Sequence, residues 1–187
     1  MTLTLRSAHV FCFAFCMLAS AALAGVGRDD LPDDAFRALA GGFESVGLFH
    51  GSSHSGGFLG SGTLIADDWV LTAGHNVDTA QSLDFHIGGQ WYEATDWIAH
   101  PGWDGNLGAG YDIALVQLDA PVAGVDPAAR YRGSGEAGRA GTSVGFGRGG
   151  SGSTGTTTGA GTKRAGQNVV ERVDASRGGK RKGSPSG

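Results

Sequence analysis

Two short motifs contain the residue types in this chain that could do acid–base chemistry. Leu71–His75 ends in a histidine, and Tyr111–Leu115 carries Asp112. An imidazole can accept a proton from a hydroxyl group near neutral pH, and a carboxylate can accept the other ring N–H and so fix the tautomer. A single histidine is more often a surface or core residue than a catalytic one. The surroundings of His75 and Asp112 therefore decide whether the two act together.

The first 24 residues have the composition of an export signal. Arg6 gives a basic start, Val10–Leu18 is apolar, and Ala22–Ala24 has the small residues found at cleavage sites. The apolar run, even when extended through Ala24, has 15 residues, fewer than the about 20 that a membrane-spanning helix needs. Residues 1–24 are therefore predicted to be a signal peptide, and the protein to be secreted or periplasmic, with no membrane attachment after cleavage.

Both cysteines, Cys12 and Cys16, lie inside this leader, so the mature chain is expected to fold without a disulfide. Its stability must then come from packing. The length of 187 residues suffices for one domain of ordinary size or for two small barrels that share a core.

Charge is distributed unevenly along the chain. Residues 25–126 contain 15 acidic and 2 basic residues, whereas residues 127–187 contain 3 acidic and 11 basic residues. The pattern is typical of two subdomains with solvated surfaces of opposite sign, and a basic tail that binds anionic polymers is the alternative. The run Lys180–Lys182 is short and has no interleaved aromatic residue, so no nucleic-acid partner is predicted.

Beyond the leader, short segments rich in Val, Ile, Leu, Phe and Trp alternate with clusters of Gly, Asp, Asn and Ser, and none shows a sustained helical period. This pattern predicts an all-β sandwich or barrel. Gly88-Gly89 suits a tight hairpin turn, which needs positive φ angles. The predicted strands are Glu44–Phe49, Phe58–Ile65, Trp69–Thr72, Leu83–Ile87, Trp91–Ala99, Ile113–Leu118, Thr142–Phe146 and Asn168–Val173.

Gly60–His75 closely resembles the segment around the catalytic histidine in the chymotrypsin/trypsin family of serine endopeptidases. There, a Gly-Gly-Ser-Leu-Ile hairpin leads through Trp-Val-Leu-Thr-Ala-Ala to the histidine. Asp112–Leu118 resembles the family's Asp-Ile-Ala-Leu strand start, and Ala99–Trp103 lies between the two like the family's His-Pro loop. Ser143–Arg148 resembles the Gly-Trp-Gly strand that opens the second barrel.

This resemblance implies that His75 is the general base and that Asp112 orients its ring, as in the family's catalytic triad. We further expect a polypeptide substrate, no cofactor, no metal and a monomeric protein. Two positions depart from the family pattern: Gly74 stands where the family has alanine, and Asn76 where it usually has cysteine. The second change removes the disulfide beside the histidine.

The fold implied by the resemblance is a trypsin-like double β-barrel with the first barrel complete and the second truncated. Residues 25–42 are predicted to be a propeptide or N-terminal arm, 43–123 the first barrel, 124–141 a linker, and 142–173 the start of the second barrel. Arg148–Thr162 consists almost wholly of Gly, Ser and Thr and is expected to be a long mobile loop. Residues 174–187 are expected to form a disordered basic tail.

The chain contains no Gly-Asp-Ser-Gly-Gly motif, which supplies the family's nucleophile and part of its oxyanion hole. Ser55-Gly56-Gly57 precedes His75 and lacks the preceding aspartate, while Ser184 and Ser186 lie in the terminal tail. No nucleophile is assigned, and we expect that a reading-frame change or a premature end explains its absence.

Two functions remain open at this point. One is a trypsin-like serine endopeptidase that is inactive as given, and the other is a non-catalytic pseudoprotease that binds peptides or partners. A metal site at His50 and His54 is weakly supported, because the intervening Gly and Ser residues indicate a loop and no third ligand is apparent.

Overall fold

The computed structural model describes residues 27–171. The predicted signal peptide, the predicted basic tail and the end of the strand predicted over Asn168–Val173 lie outside these residues. Within the described range no helix has the length and hydrophobicity that a bilayer span requires. One α-helix, α1 (Asp33–Ala40), precedes the strands β1 (Val46–Ser53), β2 (Gly56–Ala66), β3 (Trp69–Thr72), β4 (Ala80–Ile87), β5 (Gln90–Ala99), β6 (Ala114–Leu118), β7 (Ala140–Gly145), β8 (Gly149–Ser151), β9 (Gly155–Thr158) and β10 (Arg164–Val169).

Strands β1 to β6 form a closed antiparallel barrel in the order β1-β2-β3-β6-β5-β4. Burial alternates most clearly along β6 and the second half of β4, as the period of two in side-chain direction requires, so one face of these strands fills the interior. Full burial of each large side chain contributes about 1.5–3 kcal/mol. The expected all-β fold with a complete first barrel is confirmed. The core consists of Phe49, Leu64, Val70, Val77, Leu83, Phe85, Ile87, Tyr92, Ala94, Ala114, Val116 and Leu118.

The predicted hairpin is present between β4 and β5. Gly88 and Gly89 have φ angles of 60° and 79°, and Ile87 pairs with Gln90 across the turn. Two consecutive positive φ angles are unfavourable for residues with a Cβ, which is why glycine occupies both positions. The prediction of a two-residue turn is confirmed.

The second unit, β7 to β10, consists of two separate two-stranded ladders, β7 with β10 and β8 with β9. The expectation that Arg148–Thr162 is one long mobile loop is wrong, because β8 and β9 form a short hairpin inside it. Gly, Ser and Thr residues pair here through backbone and hydroxyl groups, and Gly149 N donates to Thr158 Oγ1 at 3.1 Å. A ladder of this kind needs no large apolar side chain, so composition alone does not predict it.

Helix α1 is a second correction, since no helical period was expected beyond the leader. Asp33 and Asp34 lie in its first turn and Arg37 in its last. Charges of these signs interact favourably with the helix dipole at both ends and stabilise the helix. Eight residues are too few to show a period by sequence alone. The helix packs against β10, and Ala40 at its end is buried.

Hydrogen bonds among the described residues hold the second unit and the connecting segment to the barrel and to the segment that precedes β1. Phe146 N donates to Ser61 Oγ at 2.9 Å, and Ala128 N donates to Leu64 O at 2.8 Å. Lys163 Nζ donates to Phe43 O at 2.5 Å. Burial lowers the pKa of Lys163, against the opposing effect of nearby Glu44. These contacts attach the second unit at its margin and do not merge it with the barrel core.

Candidate active site

The register of two barrel strands brings the two sequence motifs together. β3 runs antiparallel to β6, and Thr72 at the end of β3 pairs with Ala114 at the start of β6. His75 follows β3 and Asp112 precedes β6, so both side chains emerge at the same end of this strand pair. Residues separated by 37 positions become neighbours because the antiparallel pairing closes the loop between them.

A 3₁₀ turn, Gly74–Asn76, orients the histidine after β3 ends. Ala73 is still extended, with φ −82° and ψ 148°, and the chain then turns so that Val77 N donates to Gly74 O at 3.0 Å. Val77 is buried in the barrel core. The turn is thus anchored on its far side, and His75 remains exposed at its outer edge.

His75 makes two hydrogen bonds to one carboxylate. Its backbone N–H donates to Asp112 Oδ1 at 2.8 Å, and its ring Nδ1 lies 2.8 Å from Asp112 Oδ2. An ionised carboxylate only accepts, so the neutral ring must carry its proton on Nδ1. The His75 side chain is 55% exposed and that of Asp112 is 22% exposed. The carboxylate is therefore shielded behind an imidazole that solvent can reach.

A small polar network stands beside the pair. Thr72 Oγ1 donates to Ser61 O at 2.9 Å, and Asn76 Nδ2 donates to Thr72 Oγ1 at 3.0 Å. Asn76 occupies the position where the resembling family usually has a cysteine. A hydrogen bond to the preceding strand therefore fixes the residue after His75 without a covalent cross-link.

Packing against Trp103 explains why glycine occupies position 74, directly before His75. A Cβ atom placed on Gly74 would lie 3.1 Å from atoms of the Trp103 ring, closer than ordinary van der Waals contact. The indole lies over Gly74, and its Nε1 is buried without a hydrogen-bond partner among the described residues. Glycine at position 74 thus accommodates the Trp103 ring.

The other sequence candidates lie elsewhere. Ser55 is at the turn between β1 and β2, where its hydroxyl lies 3.0 Å from Ser53 Oγ, and Ser184 and Ser186 fall outside the described residues. His50 lies on β1 and His54 in the turn that follows it. Over residues 27–171, no three His, Cys, Asp or Glu side chains converge in a way that could hold a metal ion.

The residues that support the pair are not identifiable from the sequence. Ser61, Thr72 and Asn76 belong to the predicted strands and motifs without a predicted role, and no motif predicts the stacking of Tyr111 on His100, with ring centroids 4.8 Å apart. Polar strand residues carry little signal in one sequence, because their partners depend on which strands become neighbours.

Comparison with known proteins identifies the family to which the chain is similar. A family model described as Trypsin matches residues 40–178, which is more than half of the chain. Chymotrypsin-like elastase family member 1 of Macaca fascicularis is 31% identical over 127 residues, covering 58% of this chain and 47% of the relative. The chain thus spans about half the length of this curated relative.

Solved structures share the fold. A structure titled HL collagenase is 20% identical with a TM-score of 0.55, covering 68% of this chain and 58% of the other. The protease Anisep from Arthrobacter nicotinovorans is 15% identical with a TM-score of 0.53, covering 67% of this chain and 64% of the other. At these identities the likeness supports the fold alone.

Proposed function

Since the chain belongs to the trypsin family of serine proteases, we propose that His75 and Asp112 are the acid–base half of a serine endopeptidase site. In this assignment His75 is the general base and Asp112 the residue that orients it. The substrate is a polypeptide, and the predicted leader directs the protein out of the cytoplasm.

One observation carries the proposal: a single carboxylate accepts from both the backbone and the ring of the same histidine, at 2.8 Å in each case. A chance surface ion pair would need only the ring contact. The backbone bond holds the carboxylate against the main chain of His75, and the ring bond then favours one tautomer and one orientation of the imidazole. Such preorganisation is what a general base needs before a substrate binds.

The chemistry that follows is proton transfer. The ring nitrogen that is not bonded to Asp112 would take the proton of an attacking hydroxyl and then return it to the leaving amine. Asp112 would stabilise the imidazolium formed between these steps. Trypsin-family enzymes are the standard example of this division of roles.

The chain as given is proposed to lack hydrolytic activity, because no Gly-Asp-Ser-Gly-Gly motif is present in its sequence. That absence also favours the second candidate, a non-catalytic pseudoprotease that binds peptides or partners. The two candidates share the His75–Asp112 geometry and differ in whether an activated serine exists.

The geometry is tested by NMR on the ¹⁵N-labelled full chain. We expect a slowly exchanging Nδ1-bound proton on His75 that disappears in Asp112→Asn. Asp119→Asn is the matched control, since this exposed carboxylate lies just past the other end of β6. An unchanged Nδ1 proton in Asp112→Asn would contradict the assignment.

A fluorophosphonate probe tests the absence of an activated serine. Incubation of the full chain should give no labelling, while active trypsin in the same buffer is labelled. Labelling of this chain would reveal a nucleophile and overturn the proposed inactivity; the site could then be located by peptide mapping.

A further inference from the structure

Tyr111, which immediately precedes the candidate aspartate, has an unusual backbone conformation. Its φ angle is 62°, and among residues 27–171 it is the one non-glycine residue with a positive φ. A left-handed conformation brings Cβ close to the backbone carbonyl and is unfavourable for a residue with a side chain. Such a conformation persists where the surrounding structure enforces it.

The left-handed backbone of Tyr111 sets the direction in which the next residue, Asp112, leaves the loop. Ile113 N donates to Tyr111 O at 2.7 Å, so Asp112 is the central residue of a tight three-residue turn. Both of its carboxylate oxygens face His75, one toward the backbone N–H and one toward the ring. If Tyr111 relaxed to a negative φ, the turn that holds Asp112 would rotate as a unit relative to the preceding chain, and the carboxylate would move away from one or both donors.

The ring of Tyr111 is held from the other side of the loop. It stacks on the His100 ring with centroids 4.8 Å apart and planes 12° apart. A Cβ atom placed on Gly102 would lie 3.0 Å from the tyrosine ring, so the glycine permits this close approach.

His100 is itself fixed by three hydrogen bonds. Its backbone N–H donates to Ile113 O at 2.8 Å, and its carbonyl accepts from Trp103 N at 2.8 Å. Its ring Nδ1 accepts from Gly102 N at 3.0 Å. The His100 ring, on which Tyr111 stacks, is therefore anchored to Ile113, the residue that follows Asp112.

We propose that Tyr111 is a positioning residue for the His75–Asp112 pair, and that its stacking on His100 maintains the left-handed backbone that aims the carboxylate. This inference rests on the proposed function of the pair. Neither Tyr111 nor His100 is proposed to contact a substrate. Both act by positioning the carboxylate of Asp112.

The test compares three substitutions of Tyr111 in the ¹⁵N-labelled full chain. Tyr111→Ala retains the energetic penalty of a positive φ but removes the stack that supports it, so the backbone should relax. This variant should lose the His75 Nδ1 proton signal and speed exchange of the His75 backbone amide by about tenfold or more. Tyr111→Phe retains the stacked ring and should behave like the native chain. Tyr111→Gly should lie between them, because glycine tolerates the positive φ without support.

A second aromatic–histidine contact provides the matched control. Trp91 and His86 have ring centroids 4.8 Å apart on the barrel surface, and Trp91→Ala should leave His75 unchanged. The inference is overturned if Tyr111→Ala leaves both His75 signals intact, or if Tyr111→Phe is as disruptive as Tyr111→Ala. It is also overturned if the core amides of Leu64 and Val116 accelerate equally, because the effect would then be a general loss of stability.

Asp112→Asn separates this inference from the proposed function. If Asp112→Asn leaves the Nδ1 proton unchanged, the proposed function fails and the inference fails with it. If Asp112→Asn removes the proton and Tyr111→Ala does not, the positioning role alone is overturned.

Discussion

The barrel and the second unit bury their side chains in different ways. The barrel closes six strands on themselves and encloses twelve buried apolar residues. Among the described residues of the second unit, Ala165 is the one buried apolar side chain, and its strands form two ladders of two strands each. The first unit is stabilised by its interior, the second by hydrogen bonds and by its attachments.

The comparison shows where the candidate site obtains its rigidity. His75 and Asp112 flank β3 and β6, which belong to the closed barrel. Closure removes exposed strand edges and fixes the register of the neighbouring strands. The geometry of the His75–Asp112 pair therefore depends on the barrel. A loss of stability confined to the second unit should leave this pair in place.

The largest effect is expected in the barrel core. Phe85 is fully buried and its ring centroid lies 4.6 Å from that of Phe49. Phe85→Ala should lower the free energy of unfolding by about 3–5 kcal/mol through lost burial and a residual cavity. Chemical denaturation followed by tryptophan fluorescence measures this loss.

The matched substitution in the second unit is Val169→Ala, at a residue of β10 that is 51% exposed. It should change stability by less than about 0.5 kcal/mol. Comparable losses for Phe85→Ala and Val169→Ala would mean that the two units are not stabilised differently.

A smaller effect is expected at the contact between the units. Ser61→Ala removes the acceptor of Phe146 N and should cost about 1–2 kcal/mol, because a partly buried N–H loses its partner. The amides of β7 should then exchange faster while those of the barrel core do not. Ser143→Ala, on the exposed part of β7, is the control; faster exchange in the barrel core would contradict the division into two units.

The smallest effect concerns the attachment of α1 to β10 and depends on pH. Arg164 bonds Asp33 through Nε at 2.6 Å and through Nη2 at 3.2 Å, and this hydrogen-bonded guanidinium lowers the pKa of Asp33. A carboxyl with a lowered folded pKa binds its proton more weakly in the folded state. The attachment is therefore fully stabilised above the ordinary carboxyl pKa and is lost as the pH falls through the lowered value.

Amide chemical shifts of α1 recorded during an acid titration measure this attachment. Asp33→Asn should remove the pH dependence, whereas Asp34→Asn, at the neighbouring exposed carboxylate of the same turn, should retain it. Parallel shifts in the barrel core would show that acid acts on the whole protein and not on this contact.

Much of the barrel could be predicted from the sequence because its strands carry both a period of two and β-favouring residues. Trp69–Thr72 was predicted with its observed bounds, and Gly88-Gly89 identified the turn. Helix α1 and the β8–β9 hairpin could not be predicted in this way. Helix α1 is held by a contact with a distant segment, Asp33 with Arg164. The β8–β9 hairpin pairs locally, but its Gly, Ser and Thr residues carry no alternating apolar pattern that predicts a strand.

The sequence by itself determined the fold class, the family resemblance and the identity of His75 and Asp112 as candidates, because these follow from residue types and short motifs. Only the tertiary structure decided that the pair meets at 2.8 Å, that Trp103 lies over Gly74 and that Tyr111 stacks on His100. The physical reason is strand register. Antiparallel pairing of β3 with β6 sets which distant residues become neighbours, and no residue type alone specifies that pairing.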